Sequence, residues 1–216
     1  MLARDIMQPH PVSATPETRL PHLIRVLQRR GFRHLPVVAA GKLVGILSDR
    51  DLKQAVASAA AATEGREGAR ILDRLTAAEI MARSVVTISP TSGVDEAARL
   101  MATRKISALP VTEEGRLIGI VTETDVLGFF VRAMGVLEPS SRLNVVVGDE
   151  ACPVGTVVRV VEETGIGVSS VMTLETSTGE RELMLRLATI DPGPAVRALE
   201  ARGYAVRTPR APGPHD

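Results

Sequence analysis

The chain has 216 residues, enough for one large or two compact domains, and its 44% hydrophobic and 24% charged residues are typical of a globular protein with a hydrophobic core. A net charge of +1 and an aromatic content of 2% argue against a nucleic-acid-binding surface. The single cysteine, Cys152, excludes an intramolecular disulfide and a cysteine-rich metal site, while the lack of a secretory signal and of any apolar run near ~18 residues predicts a cytoplasmic protein with no membrane partner.

Residues 1–76 predict two helices on either side of a β-hairpin, followed by a connecting helix. Apolar residues at helical spacing follow Thr18 and continue to Gly31, where a helix can stop. The segments HLPVV and KLVGILS, joined by the turn AAGK, predict a hairpin, and a second helix follows from about Asp49. The linker 57–76 contains alanines and glycines and predicts the end of this helix, a bend and a short connecting helix.

The next segment, residues 77–137, repeats the first. Residues 3–56 align with residues 77–130 at a constant offset of 74 without a gap, and 15 of the 54 positions are identical. With a short opening strand, each copy is predicted as strand–helix–strand–strand–helix. One copy is too small to cover its own sheet, so we expect the two copies to pack sheet to sheet. The identical pairs include Met7 and Met81, Pro16 and Pro90, Gly45 and Gly119, and Asp51 and Asp125.

Each copy carries a hydroxyl and a carboxylate three residues apart where the second hairpin strand becomes a helix. The phrases are GILSDRDL, with Ser48 and Asp51, and GIVTETDV, with Thr122 and Asp125. One interpretation is a capping box, in which hydroxyl and acid satisfy free backbone groups of the helix start. The other is a nucleotide site, because a helix N-terminus attracts phosphate and a carboxylate can accept hydrogen bonds from a ribose. The two interpretations are compatible.

These phrases, with the preceding IM, LPV and glycine residues of each copy, resemble a tandem pair of cystathionine-β-synthase (CBS) domains over about residues 1–135. The resemblance implies a sensor of AMP, ADP, ATP or a related adenosyl ligand, in a homodimer, with two clefts that each combine residues of both copies. The first cleft would join Phe32, Arg33 and His34 to Ile120, Thr122 and Asp125. The second cleft would join Ile106, Ser107 and Ala108 to Ile46, Ser48, Arg50 and Asp51.

The last third changes its periodicity and predicts a third domain over residues 141–209. Its pattern is strand–helix–strand–strand–helix–strand, the order of a ferredoxin-like unit, with Asp191 capping a last helix that starts at Pro192. This segment resembles an ACT domain, which implies dimerisation or the binding of a second small ligand near the loop 148–155. Residues 210–216 are predicted to be a disordered tail.

The overall fold class is therefore α+β, with paired CBS domains of β-α-β-β-α repeats followed by a βαββαβ ACT domain. This order resembles the acetoin-utilisation protein B type, for which a regulatory role is implied. We expect a non-enzymatic sensor with an adenine nucleotide as regulatory ligand and no catalytic cofactor or metal, because the sequence has no nucleophile–base pair or metal-ligand spacing. The alternatives are a ligand-free scaffold that regulates an enzyme by contact and an amino-acid sensor acting through the ACT domain.

Overall fold

A computed structural model describes residues 1–62, 66–147, 154–177 and 179–208. The chain divides into two compact units, Met1–Leu127 and Gly128–Asp216. The predictions for Cys152 and for the tail lie outside the described residues, as does Gly65 of the predicted bend. Among the described residues, none of the helices is both long and apolar enough to cross a membrane.

The elements of the first unit recur at the offset of 74 residues that the sequence repeat predicts. Both hairpins and the helices beside them are confirmed, and so are the tail of the second helix and the connecting helix. In chain order the elements are α1 (Ala3–Ile6), β1 (Gln8–Pro9), α2 (Leu20–Arg30), β2 (His34–Ala39), β3 (Lys42–Ser48), α3 (Asp49–Ala62), α4 (Arg66–Arg74), α5 (Ala77–Ile80), α6 (Val94–Arg104), β4 (Ala108–Glu113), β5 (Arg116–Thr122) and α7 (Glu123–Ala133), which extends past the unit boundary.

The hydroxyl residues Thr18 and Ser92 lie two positions before the first residues of α2 and α6. The N-cap residues are Arg19 and Gly93, and neither provides a side-chain capping bond. Thr18 instead accepts a hydrogen bond at its Oγ1 from the backbone N–H of Thr15, at 3.0 Å. The predicted stop of α2 is confirmed, because Gly31 has the left-handed φ of 66° that favours glycine after a helix.

The opening strand of each copy pairs with the hairpin of the other copy. Strand β1 lies antiparallel to β5, with Gln8 opposite Ile120. In the second copy, the equivalent contact is a single bridge in which the backbones of Ala82 and Ile46 exchange hydrogen bonds of 3.0 Å. The opening strands are therefore short, and they link the two copies.

A glycine in each hairpin makes room for this exchange. A β-carbon added to Gly119 would overlap the sulfur of Met7 and lie 2.9 Å from its Cγ. At Gly45, an added β-carbon would overlap the sulfur of Met81 and lie 3.1 Å from the carbonyl oxygen of Ala82. The repeated methionine and glycine of the sequence are therefore partners across the two copies.

The described strands of the second unit are β6 (Ser141–Val147), β7 (Val168–Glu175), β8 (Arg181–Leu187) and β9 (Ala205–Arg207), and they form an antiparallel sheet in the order β7-β8-β6-β9. This order and the βαββαβ connectivity are those of the predicted ferredoxin-like unit. The last helix starts one residue later than predicted, because Pro192 is its N-cap and Asp191 accepts a 2.9 Å hydrogen bond from the N–H of Gly193. The helices of this unit are α8 (Val154–Glu162), between β6 and β7, and α9 (Gly193–Glu200), between β8 and β9.

Each unit contains its own hydrophobic core. In the first copy of the first unit, α2 and the β2–β3 hairpin bury Leu23, Leu35 and Leu47 completely. In the second unit, α8 and α9 pack on one face of the sheet and bury Leu185 and Leu199 completely. These elements therefore bury their apolar faces within their own units.

Candidate functional site

Both hydroxyl–carboxylate phrases form capping boxes at the starts of α3 and α7. In the first copy, Asp51 accepts hydrogen bonds at Oδ2 from the backbone N–H of Ser48 (2.7 Å) and from its hydroxyl (2.6 Å). In the second copy, Asp125 accepts the same two bonds from Thr122 at 2.8 and 2.6 Å. Each hydroxyl oxygen also accepts from the N–H of its aspartate, at 3.3 and 3.4 Å. The phrases thus fix the start of each helix.

The first cleft contains all six residues that the resemblance assigned to it. It has a volume of about 360 Å³. Apolar side chains of Pro9, Pro11, Val12 and Ile120 line it together with Phe32, which is 41% exposed. The hydroxyls of Thr122 and Thr124, the carboxylate of Asp125, and the side chains of His10, Arg33 and His34 supply the polar groups.

The second cleft contains all seven residues assigned to it and has a volume of about 500 Å³. Its lining is mainly polar and charged. The cationic side chains are Arg33, Arg50 and Lys105, and the carboxylates are Asp49, Asp51 and Glu123. The remaining lining residues are His34, Ile46, Leu47, Ser48, Ile106, Ser107 and Ala108.

The segments before β2 and β4 are anchored to the helix starts of their own copies. The N–H of Asp49 donates to the carbonyl oxygen of Arg33 at 3.0 Å, and the N–H of Glu123 donates to that of Ser107 at 3.1 Å. The Nε2 of His34 lies 2.9 Å from the Oγ of Ser107, a side-chain hydrogen bond between the copies. His34 and Ser107 therefore meet beside both capping boxes.

The half-buried imidazole of His34 is disfavoured in its charged form. Burial lowers the pKa of His34 below its usual value, and the nearby positive charge of Arg33 lowers it further. Asp49, Glu123 and Asp51 oppose this shift in the pKa without cancelling it. A neutral imidazole can donate or accept a proton in its hydrogen bond with Ser107, depending on the tautomer.

The sequence interpretation missed two groups of cleft residues. One group lies in and after the opening strand β1, which pairs with the other copy, and the other lies at the end of a helix. Gln8, Pro9, His10, Pro11 and Val12 line the first cleft because β1 pairs with β5 of the other copy. Lys105 lines the second cleft as the residue that ends α6, with a left-handed φ of 53°. The sequence repeat could have identified Lys105, because the offset of 74 aligns it with Gly31, the residue that ends α2.

Within the described part of the chain, no group of three or more His, Cys, Asp or Glu side chains could hold a metal ion. The clefts offer hydrogen-bonding and charged groups to a ligand, with apolar walls in the first.

The model of the CBS domain family matches residues 3–58 and 77–132, just over half of the chain. The chain belongs to the CBS-domain family. Among curated relatives of this tandem CBS pair, protein MJ1225 of Methanocaldococcus jannaschii is 40% identical over 131 residues, which are 60% of this chain and 45% of that protein. A CBS domain-containing protein of Dictyostelium discoideum is 32% identical over 143 residues, which are 65% of this chain and 99% of that protein.

The CBS pair also occurs in relatives that are enzymes. The L-aspartate semialdehyde sulfurtransferase of M. jannaschii is 31% identical over 131 residues, but these residues are 23% of its length. The chain thus spans less than half of the first relative named and about a quarter of this enzyme.

Solved structures share the fold of the CBS pair. A candidate acetoin utilization protein (AcuB) from Vibrio cholerae is 28% identical, with a TM-score of 0.54 over 63% of this chain and 95% of that one. The CBS pair of protein MJ0100, solved with 5′-methylthioadenosine and S-adenosyl-L-methionine, is 31% identical, with a TM-score of 0.52 over 60% and 95%. CBSX2, solved with AMP, is 25% identical, with a TM-score of 0.50 over 61% and 96%.

Proposed function

We propose that this protein is a non-catalytic regulator that binds adenosine nucleotides or related adenosyl ligands in the two clefts of its CBS pair. The observation that carries the proposal is that both hydroxyl–carboxylate phrases open into clefts built from both copies. The adenosyl ligands bound by the CBS pair of MJ0100 and by CBSX2 support the same ligand class.

Each capping box has a second role in this proposal. The Oδ2 atoms of Asp51 and Asp125 accept the capping bonds, and their Oδ1 atoms accept hydrogen bonds from ribose hydroxyls. The N–H groups of Arg50 and Thr124, the second residues of α3 and α7, and the hydroxyls of Ser48 and Thr122 contact the phosphate, where the helix dipole favours negative charge. Arg50 adds a cation in the second cleft, where the first cleft has Thr124.

In the first cleft, the adenine base lies between aliphatic and proline side chains, with Phe32 at the exposed edge. In the second cleft, Ile46, Ile106 and Ala108 provide the apolar surface. The lining residues proposed to contact the nucleotide are the thirteen that the family resemblance implies, together with Pro9 and Val12 in the first cleft.

Isothermal titration calorimetry with AMP, ATP and S-adenosylmethionine tests this assignment. We expect Asp51→Asn and Asp125→Asn each to weaken binding in one cleft by about 10- to 150-fold, because a hydrogen bond to a charged group contributes about 1.5–3 kcal/mol. The matched control is Glu79→Gln. Glu79 accepts bonds of 2.8 and 2.7 Å from the N–H and hydroxyl of Thr76 in the same kind of capping box, outside both clefts.

The control separates ligand contact from helix capping. If Glu79→Gln weakens nucleotide binding as much as the cleft variants do, the effect comes from the fold and the assignment of Asp51 and Asp125 is wrong. If none of the three ligands binds below millimolar concentration, the sensor function itself is contradicted.

We further propose that the second unit is an ACT domain that dimerises the protein, or binds a second small ligand, and that the dimer controls a partner enzyme. The βαββαβ connectivity and the strand order of the second unit support this assignment. The loop 148–153, where an amino acid would bind in an ACT domain, lies outside the described residues.

A ligand-free scaffold is the second candidate, and one observation favours it. The capping boxes already satisfy the hydroxyl and one carboxylate oxygen of each phrase, so the phrases are explained without a ligand. This candidate predicts a stable protein partner in a pull-down and no response to nucleotides. A thermal-shift screen of amino acids beside nucleotides distinguishes both candidates from an amino-acid sensor.

A further inference from the structure

The two clefts share one wall. Among the described lining residues, only Arg33 and His34 belong to both clefts. Their equivalents in the second copy, Ser107 and Ala108, line the second cleft alone. The shared wall is therefore a feature of the first copy that the sequence repeat does not reproduce.

The backbone and side-chain contacts hold this wall between the clefts. The carbonyl of Arg33 is fixed by the N–H of Asp49 at 3.0 Å, and the ring of His34 is fixed by Ser107 at 2.9 Å. Arg33 itself is exposed, so its guanidinium is accessible to a ligand. A guanidinium that makes a bidentate pair with one phosphate cannot offer the same geometry to a second one.

The two clefts depend on Arg33 to different extents. In the first cleft, Arg33 is the sole lysine or arginine among the described lining residues. In the second cleft, Arg50 and Lys105 accompany it, and three carboxylates oppose these cations. A phosphate in the second cleft that recruits Arg33 therefore removes the arginine on which phosphate binding in the first cleft relies.

We propose that Arg33 couples the two clefts, so that a phosphorylated adenosine ligand in one cleft weakens the binding of a phosphorylated ligand in the other. This inference rests on the proposed function of the clefts. The coupling is reciprocal, because linkage requires each ligand to change the affinity of the other by the same factor. A ligand without phosphate leaves Arg33 free and experiences no such coupling.

Calorimetry on single-cleft variants of the full chain tests the coupling. Asp51→Asn leaves the first cleft to bind AMP, and Asp125→Asn leaves the second. In the wild-type protein we expect the second AMP to bind at least about fivefold more weakly than AMP binds to the corresponding single-cleft variant, within the usual range of coupling factors. With adenosine as the probe, wild-type affinities should equal those of the single-cleft variants.

Arg33→Gln identifies the residue that couples the clefts. It removes the positive charge and should weaken AMP binding, most strongly in the first cleft, while the two clefts become independent. The matched control is Arg30→Gln, an identical charge change at an exposed residue of α2 that lines neither cleft. We expect Arg30→Gln to keep both the AMP affinities and the coupling.

The possible outcomes separate this inference from the proposed function. If AMP binds to wild-type protein with the affinities of the two single-cleft variants, the coupling is overturned and the sensor function stands. A single wild-type site, with no binding to one single-cleft variant, also overturns the coupling because only one cleft then works. Coupling that persists in Arg33→Gln overturns the role of Arg33. If AMP and adenosine bind to none of the proteins, both proposals fall.

Discussion

The most informative residues lie where a strand ends and a helix begins. Ser48 with Asp51, and Thr122 with Asp125, satisfy each other's backbone and hydroxyl groups at distances of 2.6–3.4 Å. The spacing alone predicts this capping geometry, because a residue three positions into a helix can reach back to the cap. It does not predict which residues face these caps across the clefts. That assignment came from the family resemblance, since backbone spacing carries no information about contacts 70 residues apart.

At the same scale, His34 gives the protein a pH-dependent stability. Burial and Arg33 lower the pKa of His34, so the unfolded chain binds a proton at a higher pH than the folded one. Stability from this group is therefore fully present above the unfolded pKa of about 6.5 and is lost as the pH falls through the lowered folded pKa. We expect NMR titration of the His34 ring to give a pKa below 6.5, and urea unfolding to show less stability at mildly acidic pH.

His34→Gln provides the comparison for this prediction. It keeps a hydrogen-bonding side chain opposite Ser107 and removes the titrating group, so the acid-dependent loss of stability should become smaller. A measured pKa of His34 at or above 6.5 would contradict the prediction, because Asp49, Glu123 and Asp51 would then outweigh burial and Arg33.

At the scale of elements, hydrophobic periodicity predicts the helices and hairpins of both copies, because each buries one apolar face. The exchange of the opening strands between copies is not predictable in this way, since it depends on backbone hydrogen bonds such as those between Ala82 and Ile46. The spacing also does not show that Thr18, which precedes α2, bonds within its own turn instead of capping the helix. The sequence reflects this exchange in its repeated methionine and glycine, because Met7 packs against Gly119 and Met81 packs against Gly45.

Gly119→Ala should break that exchange for β1. The added methyl overlaps the side chain of Met7 beside the carbonyl of Gln8, and overpacking of this kind destabilises a protein by about 1–3 kcal/mol. Because Pro9 and Val12 line the first cleft, AMP binding there should weaken as well. Urea unfolding and calorimetry on the Asp51→Asn background measure the two effects.

Gly155→Ala is the control for this substitution. Apart from its chain neighbours and its own helix backbone, a β-carbon at Gly155 meets no atom of the described residues within 4 Å. This glycine lies in α8, and alanine is favoured over glycine in a helix by about 0.5–1 kcal/mol. We therefore expect unchanged or slightly raised stability and no change in AMP affinity. Equal stability of Gly119→Ala and the wild-type protein would show that Met7 moves aside at no cost.

At the scale of the whole molecule, each unit has its own core, so the tasks proposed for the two units can be tested separately. Leu47 is fully buried in the first core and precedes Ser48 in β3, whereas Leu185 lies in β8 and is fully buried in the second core. If the first unit binds nucleotide and the second dimerises the chain, destabilising the first core should affect nucleotide binding, and destabilising the second core should affect the dimer.

Leu47→Ala and Leu185→Ala make that comparison with one matched chemical change. Replacing a buried leucine by alanine costs about 2–5 kcal/mol, so both variants are measured at a temperature where circular dichroism shows them folded. Sedimentation velocity should give the wild-type protein twice the chain mass of 23.0 kDa. We expect Leu185→Ala to lower the dimer fraction and keep AMP affinity, and Leu47→Ala to weaken AMP binding and keep the dimer. A wild-type monomer would contradict dimerisation. A dimer that responds to Leu47→Ala instead of Leu185→Ala would show that the contact between the two chains lies outside the second unit.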